Sequence, residues 1–237
     1  MRIRGRRRCT DCGREWSYFE TGRVACPDCG SLRSVGTGDR ERHTDSPAEL
    51  DLSEHRNALD SATGIGDVAD GLKSTLRDYV RQRGFVRGGD LRTVDDTVLA
   101  AAELLHAVDV YERTRDPTDE MRLYVLSLLR GADGGDRSAP EEVPSEMTDA
   151  RGLAYAEVLD GFCSDLGVWL EDHPDPSARA VRETLETHIA RVDALYGDVP
   201  PAESESLVRA ARELATYLRD DDEAALATAR DRLSRLE

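Results

Sequence analysis

Four cysteines near the start of the chain fall into two pairs, Cys9-Thr-Asp-Cys12 and Cys26-Pro-Asp-Cys29, with 13 residues between them. Two thiolates three positions apart on a tight turn can reach one ion, and two such knuckles complete a tetrahedral shell of four sulfurs. Gly13 and Gly30 follow the knuckles directly, where such a turn often needs a positive φ. The pattern predicts a structural zinc site with Cys9, Cys12, Cys26 and Cys29 as ligands and no position left open for catalysis. Iron fits the same shell chemically, but the short intervening loop and sparse aromatic surroundings favour zinc. Disulfides and a redox Cys-x-x-Cys are disfavoured, because two knuckles together make a closed site and the chain reads as cytoplasmic.

A second chemistry precedes the first knuckle. Arg2, Arg4, Arg6, Arg7 and Arg8 form a basic arm, Arg14 lies beyond it, and Trp16, Tyr18 and Phe19 are interleaved. Arginine pairs with phosphate oxygens and aromatic rings stack on unpaired bases. Arg2, Arg4, Arg6, Arg7, Arg8, Arg14 and Tyr18 are therefore candidate contacts for nucleic acid or a protein partner. The competing reading makes Trp16 and another aromatic a minimal core, with the arginines solvated or resting on acidic residues elsewhere in the chain.

Further along, Glu103-Leu-Leu-His106 sets a carboxylate and an imidazole three apart on one helix, as in di-iron bundles. No second Glu-x-x-His accompanies it, so a solvated helix face is expected. His55 and His188 lie on apolar stripes as packed histidines, and Cys163 reads as a small buried hydrophobe. Asp95-Asp96 and Asp220-Asp221-Asp222 suit helix starts. Arg87-Gly-Gly-Asp90 is a turn without the spacing of a phosphate loop, and no nucleophile elbow or dinucleotide fingerprint is present.

The net charge of −16 is unevenly spread: residues 1–42 carry 10 Arg and 6 acidic residues, and the rest 22 basic and 42 acidic. Lys73 is the sole lysine, and Asp outnumbers Glu by 28 to 20. Such a surface suits high ionic strength, where self-repulsion is screened. No run reaches the length of a membrane span and no secretory signal is visible, so a cytoplasmic protein without membrane contact is expected.

The elements that must hold these residues follow from periodicity. Residues 1–35 form the cysteine module, with β-compatible runs at Trp16–Phe19 and Arg23–Ala25 around the turn Thr21-Gly22. Gly36 to Pro47 reads as a linker. Residues 48–237 form an acidic all-α domain, in two halves (48–130 and 147–237) separated by an exposed loop over 131–146. Apolar stripes mark the helices. Leu52, His55, Leu59 and Ala62 give the first, Val68 to Val80 the second, and Val94 to Val108, capped by Thr93 or Asp90, the third. Met121 to Leu129 gives the fourth. Leu153 to Leu170, Val181 to Leu195, Leu207 to Leu218 and Leu226 to Leu236 follow. About eight helices in a bundle are expected, with no strand after the module and no solenoid repeat.

The stretch CTDCGREWSYFETGRVACPDCGS resembles zinc ribbons of the transcription-factor-IIB type and rubredoxin-like ribbons. The chain as a whole is similar to uncharacterised zinc-ribbon proteins of salt-loving archaea. The resemblance to zinc ribbons covers residues 9–31 and implies a ligand role for the four cysteines and a packing role for Trp16. Together these features suggest a non-enzymatic adaptor or regulator whose ribbon contacts nucleic acid or the transcription or translation machinery. The alternatives are a protein-interaction scaffold with a purely structural ribbon, and an enzyme with a pocket between helices near Glu103 and His106.

Overall fold

The structure is a computed structural model that describes residues 1–61 and 64–236. Ala62, expected on the first helical stripe, lies outside the described residues. Among the described residues, a small β-rich cysteine module is followed by an all-α bundle of eight helices.

The module is built on β2 (Arg6–Cys9), the centre of a three-stranded antiparallel sheet. On one side it pairs with β3 (Glu15–Ser17) and on the other with β4 (Ser34–Thr37), so that Arg7 faces both Trp16 and Gly36. A second ladder joins β1 (Arg2–Ile3) to β5 (Glu41–Arg42), with Arg2 opposite Arg42. Most of the basic stretch before Cys9, Arg2–Ile3 and Arg6–Cys9, is thus strand held by backbone hydrogen bonds, where a basic arm was expected. Residues 36–47 differ from the expected linker in the same way, because they supply β5 and the end of β4.

The run Arg23–Ala25 does not become a strand. Tyr18–Thr21 form a single helical turn, α1, which Gly22 ends in the left-handed region with its N–H on the Tyr18 carbonyl. The Arg23 carbonyl is then taken by the Trp16 indole N–H at 2.9 Å, leaving no ladder partner for it.

In the body, α4 (Asp96–Arg113) and α6 (Thr148–Trp169) are the central pair. Against α4 pack α3 (Gly66–Gln82) and α5 (Asp119–Gly131), with α2 (Ser53–Ser61) on α3. Against α6 pack α7 (Pro176–Ala194) and α8 (Pro201–Asp220), with α9 (Glu223–Ser234) on α8. The two halves expected on either side of residues 131–146 share one apolar core. Asp95 caps α4, its carboxylate accepting the Val98 N–H at 2.9 Å, where Thr93 or Asp90 was expected. Asp222 caps α9 in the same manner. A two-residue hairpin, β6 (Val86–Arg87) with β7 (Asp90–Leu91), interrupts the helices between α3 and α4.

The stretch 131–146, expected as an exposed loop, contains three short 3-10 turns and lies across α4, α6 and α8. Its Arg137 bonds Asp96 at 2.9 Å, the Tyr155 hydroxyl at 2.6 Å and Glu205 at 2.8 Å. Composition reads charge as solvent exposure; here the charges find partners within the protein.

Glu103 differs most from expectation. Because α4 is packed nearly all round, the carboxylate has no solvent face to occupy and is fully buried. It accepts from Arg151 Nε at 2.7 Å, from the Tyr155 hydroxyl at 3.0 Å and from the Tyr124 hydroxyl. Burial and the adjacent carboxylate push both tyrosine hydroxyls above their ordinary pKa. Arg151, equally buried, also donates to the Ser138 carbonyl at 2.7 Å. Removing one member of such a pair strands the other charge in an apolar interior. Glu103→Ala is therefore expected to destabilise the protein by about 3–5 kcal/mol. Glu103→Leu combined with Arg151→Met should recover most of that loss, as read from urea unfolding midpoints at constant slope.

Candidate metal centre

The β2–β3 hairpin carries the first knuckle, and the loop between α1 and β4 carries the second. In each, the backbone folds back on itself: the Gly13 N–H meets the Cys9 carbonyl at 3.1 Å and the Gly30 N–H meets the Cys26 carbonyl at 2.9 Å. Both glycines have positive φ, 78° and 70°. The knuckles are tied to each other by the Ser31 hydroxyl on the Asp11 carboxylate at 2.5 Å and by Thr10 N–H on the Arg33 carbonyl at 3.0 Å. Arg14 and Asp28 face one another across them at 3.7 Å.

The four sulfurs lie within 4.8 Å of one another, and Cys9–Cys29 and Cys12–Cys26 are each separated by 3.6 Å. Ligands about 2.3 Å from a tetrahedral zinc ion stand roughly 3.8 Å apart, so the spacing fits such an ion. Protonation chemistry agrees. The Cys12 amide beside it pulls the Cys9 thiol down to about 7, against the opposing effect of burial. At Cys29 the Ser31 amide favours the thiolate, yet crowding by Cys12 and Cys9 pushes the thiol up to about 12. Cys9 ionises readily, whereas Cys12 and Cys29 resist until a cation offsets the accumulating charge. Cys9 and Cys26 are buried with Trp16, which gives that indole the packing role its position suggested.

The candidate contact residues do not form one patch. Arg2 is paired with Asp172 at the end of the body's α6, and Arg14 with Asp28. Arg7 bonds the Ser34 hydroxyl at 3.0 Å, and Tyr18 stands edge-on to His43 at 5.9 Å. Arg4, Arg6 and Arg8 are exposed and make no ion pair or side-chain hydrogen bond with the described residues. Arg6 and Arg8 share the face of β2 that also presents Val35.

Sequence reasoning missed the residues that fix the module to the body. The turn Arg87-Gly-Gly-Asp90 is the docking point. The Phe19 ring lies where a side chain at Gly88 would stand, 2.8 Å from an ideal Cβ, and Gly88 has φ +60°. The Gly89 N–H donates to the Arg42 carbonyl, and its own carbonyl accepts from the Trp169 indole, both at 2.9 Å. Arg42 bonds Asp172 at 2.8 Å and Glu171 at 2.7 Å, and it holds the Asp172 carboxyl below the usual carboxylate range. His43 is buried against Phe19, and Asp45, also buried, joins Arg87 at 2.8 Å to Arg83 at 3.3 Å. A Gly-Gly turn at a helix break was the one visible signal, and only the fold shows what approaches it.

Glu103 and His106 do not converge. Glu103 points into the core, whereas His106 meets Glu157 at 2.9 Å on the rim of a surface groove. His188 is buried on α7, His55 bonds the Thr75 hydroxyl at 2.8 Å, and Cys163 is fully buried, its thiol pushed up to about 12 by burial.

A family model spans the cysteine module and nearly the whole helical body, residues 1–233. The chain belongs to DUF7117, a family of unknown function. No curated protein and no solved structure matches the chain. Among the described residues of this DUF7117 member, the site whose ligand chemistry is explicit is the set of four sulfurs arranged for one metal ion.

Two outcomes follow from this geometry. Purified protein should carry one equivalent of metal by elemental analysis, and Cys12→Ser should lower that to well under half, since three thiolates leave the shell open. Glu171→Gln with Asp172→Asn should leave metal content unchanged but accelerate hydrogen exchange of the Gly89 amide severalfold. Unchanged exchange there would mean that the acidic clamp does not hold the module in place.

Proposed function

We propose that this protein is a non-enzymatic zinc-binding adaptor. On this reading the ribbon grips single-stranded nucleic acid through Arg4, Arg6 and Arg8, while the helical body sets the ribbon's orientation. The observation that carries the reading is a rigid strand presenting arginines without acidic partners, in a chain whose remainder is strongly acidic. Guanidinium groups left unpaired on such a strand are available to phosphate oxygens in bidentate geometry. A shell of four thiolates leaves no position for a substrate, which assigns the ion to scaffolding. Zinc suits that task because it has no redox chemistry of its own. Reduced thiols point to a cytoplasmic setting, and the Asp-rich surface with a single lysine to one of high salt.

A second reading is favoured by one further observation. Leu32 is 74% exposed just after the second knuckle, and Val35 is exposed beside Arg8. An apolar and basic surface of this kind also fits an acidic protein partner, such as a component of the transcription or translation machinery.

The discriminating measurement is fluorescence anisotropy with labelled single-stranded RNA, single-stranded DNA and duplex DNA, using zinc-loaded protein over a salt series. Single strands should bind with an affinity that falls with salt. Arg6→Ala with Arg8→Ala should weaken binding roughly tenfold at low salt and reduce the slope of log K against log salt by about 1.4, two phosphate contacts' worth. If folded protein binds no nucleic acid even at low salt, the first reading is abandoned. A single partner captured irrespective of nuclease treatment then supports the second.

A further inference from the structure

Between α3, α4 and α6 the surface of the body opens into a groove of about 490 Å³, within the range of small-molecule sites. Its floor is apolar, formed by Val80, Phe85, Leu105 and Val158. Phe85 is held edge-on against Phe162 with ring centroids 5.5 Å apart, so the floor is set by core packing. On the α6 side the groove is lined by Gly161. A Cβ at that position would meet only the Phe85 ring, at 3.6 Å, so neither close packing nor backbone conformation demands a glycine.

The rims are charged and unequal. On α3, Arg77 and Arg81 stand four residues apart and so project from one side of the helix. Their acidic neighbours, Asp109 and Asp78, approach no closer than 3.7 Å, and the two side chains are 48% and 75% exposed. Both guanidiniums therefore have donors to spare. Across the groove, His106 and Glu157 engage each other at 2.9 Å, and Asp109 is already drawn to Lys73 at 3.3 Å. In so acidic a protein, arginines with unused donors above an apolar floor would draw an anion that also has an apolar body. A carboxylate is planar and matches the fork of a guanidinium in bidentate geometry, so it suits two arginines with donors to spare.

We propose that this groove is a binding site for a small aromatic carboxylate. Its carboxylate pairs with Arg77 and Arg81, its ring lies on Phe85, Leu105 and Val158, and a polar substituent reaches the His106–Glu157 pair. The site is independent of the metal centre and of the arginine strand, so its test leaves the adaptor reading untouched.

The probe is 2-naphthoate, with neutral 2-naphthamide as its control, titrated by calorimetry into the full zinc-loaded chain. The expected result is saturable 1:1 binding of naphthoate at least tenfold tighter than of naphthamide. Arg77→Ala with Arg81→Ala should erase that difference. Gly161→Leu, which places a side chain in the groove, should abolish binding of both compounds. Circular dichroism and the thermal midpoint check that each variant is folded, and Gly161→Ala serves as a milder replacement that keeps most of the groove open. Absence of saturable binding to the parent protein overturns the proposal. So does equal binding of acid and amide, or binding indifferent to Gly161→Leu in a folded variant.

Discussion

A carboxylate and a guanidinium withdrawn together from water, Glu103 and Arg151, set the terms for the helical body. One sits on α4 and the other on α6, the central pair of helices in the body. Dehydrating both ions costs several kcal/mol each, and their mutual attraction offsets that only if the remaining donors and acceptors are satisfied. Tyr124 brings α5 to the pair, Tyr155 supplies a second hydroxyl from α6, and the Ser138 carbonyl draws in residues 131–146, so that only Nη1 of Arg151 lacks a hydrogen-bond partner within the pair's described surroundings. Apolar side chains would have tolerated several helix registers in a core this rich in alanine. The ion pair tolerates one, because any slip leaves a buried charge without its partner.

From that fixed pair the rest is layered outward. Trp169 ends α6, and its indole reaches the Gly-Gly turn of the β6–β7 hairpin, which in turn receives the backbone of Arg42 and the ring of Phe19. The cysteine module is therefore seated on the body by hydrogen bonds and ring packing as well as by charge. Exposed ion pairs alone would contribute little to holding it. Inside the module Cys9, Cys26 and Trp16 are all that is buried around the four sulfurs, so a metal ion held there would do the work that an apolar core does elsewhere. Metal and docking are thus complementary. The first would fold the knuckles, and the second fixes which way the sheet they support faces.

How much of this was legible in the sequence depends on the range of the interactions involved. The cysteine quartet was legible because its geometry is local: three-residue spacings and the glycines that close the turns. The helices were legible because a 3.6-residue period survives in Val68 to Tyr79 or Val181 to Val192 whatever lies opposite. Long-range polar partners were not. Nothing near Glu103 in sequence announces Arg151, 48 residues on, so periodicity assigned the carboxylate to water. Residues 131–146 and 36–47 were misread for the same reason, their charges and glycines having been satisfied by residues far along the chain. The arginines before Cys9 looked like an arm because strand pairing with β4 needs a partner nearly 30 residues away.

The acidity of the body also decides how a basic strand on the module can be used. At an ionic strength near 0.15 M the screening length is about 8 Å, so the body repels a polyanion and leaves the module as the approachable end. At molar salt that length shrinks to about 3 Å, and both the repulsion and the long-range pull of the arginines vanish. Only contacts made in register then count: paired guanidinium hydrogen bonds, and burial of apolar surface such as Leu32 and Val35. Contact-range forces reward a surface whose spacing is already set, because no steering remains to compensate for disorder. Arg6 and Arg8 on a strand clasped from both sides, in a module closed around four sulfurs and seated on the body, meet that requirement. A flexible arm of the same composition would not.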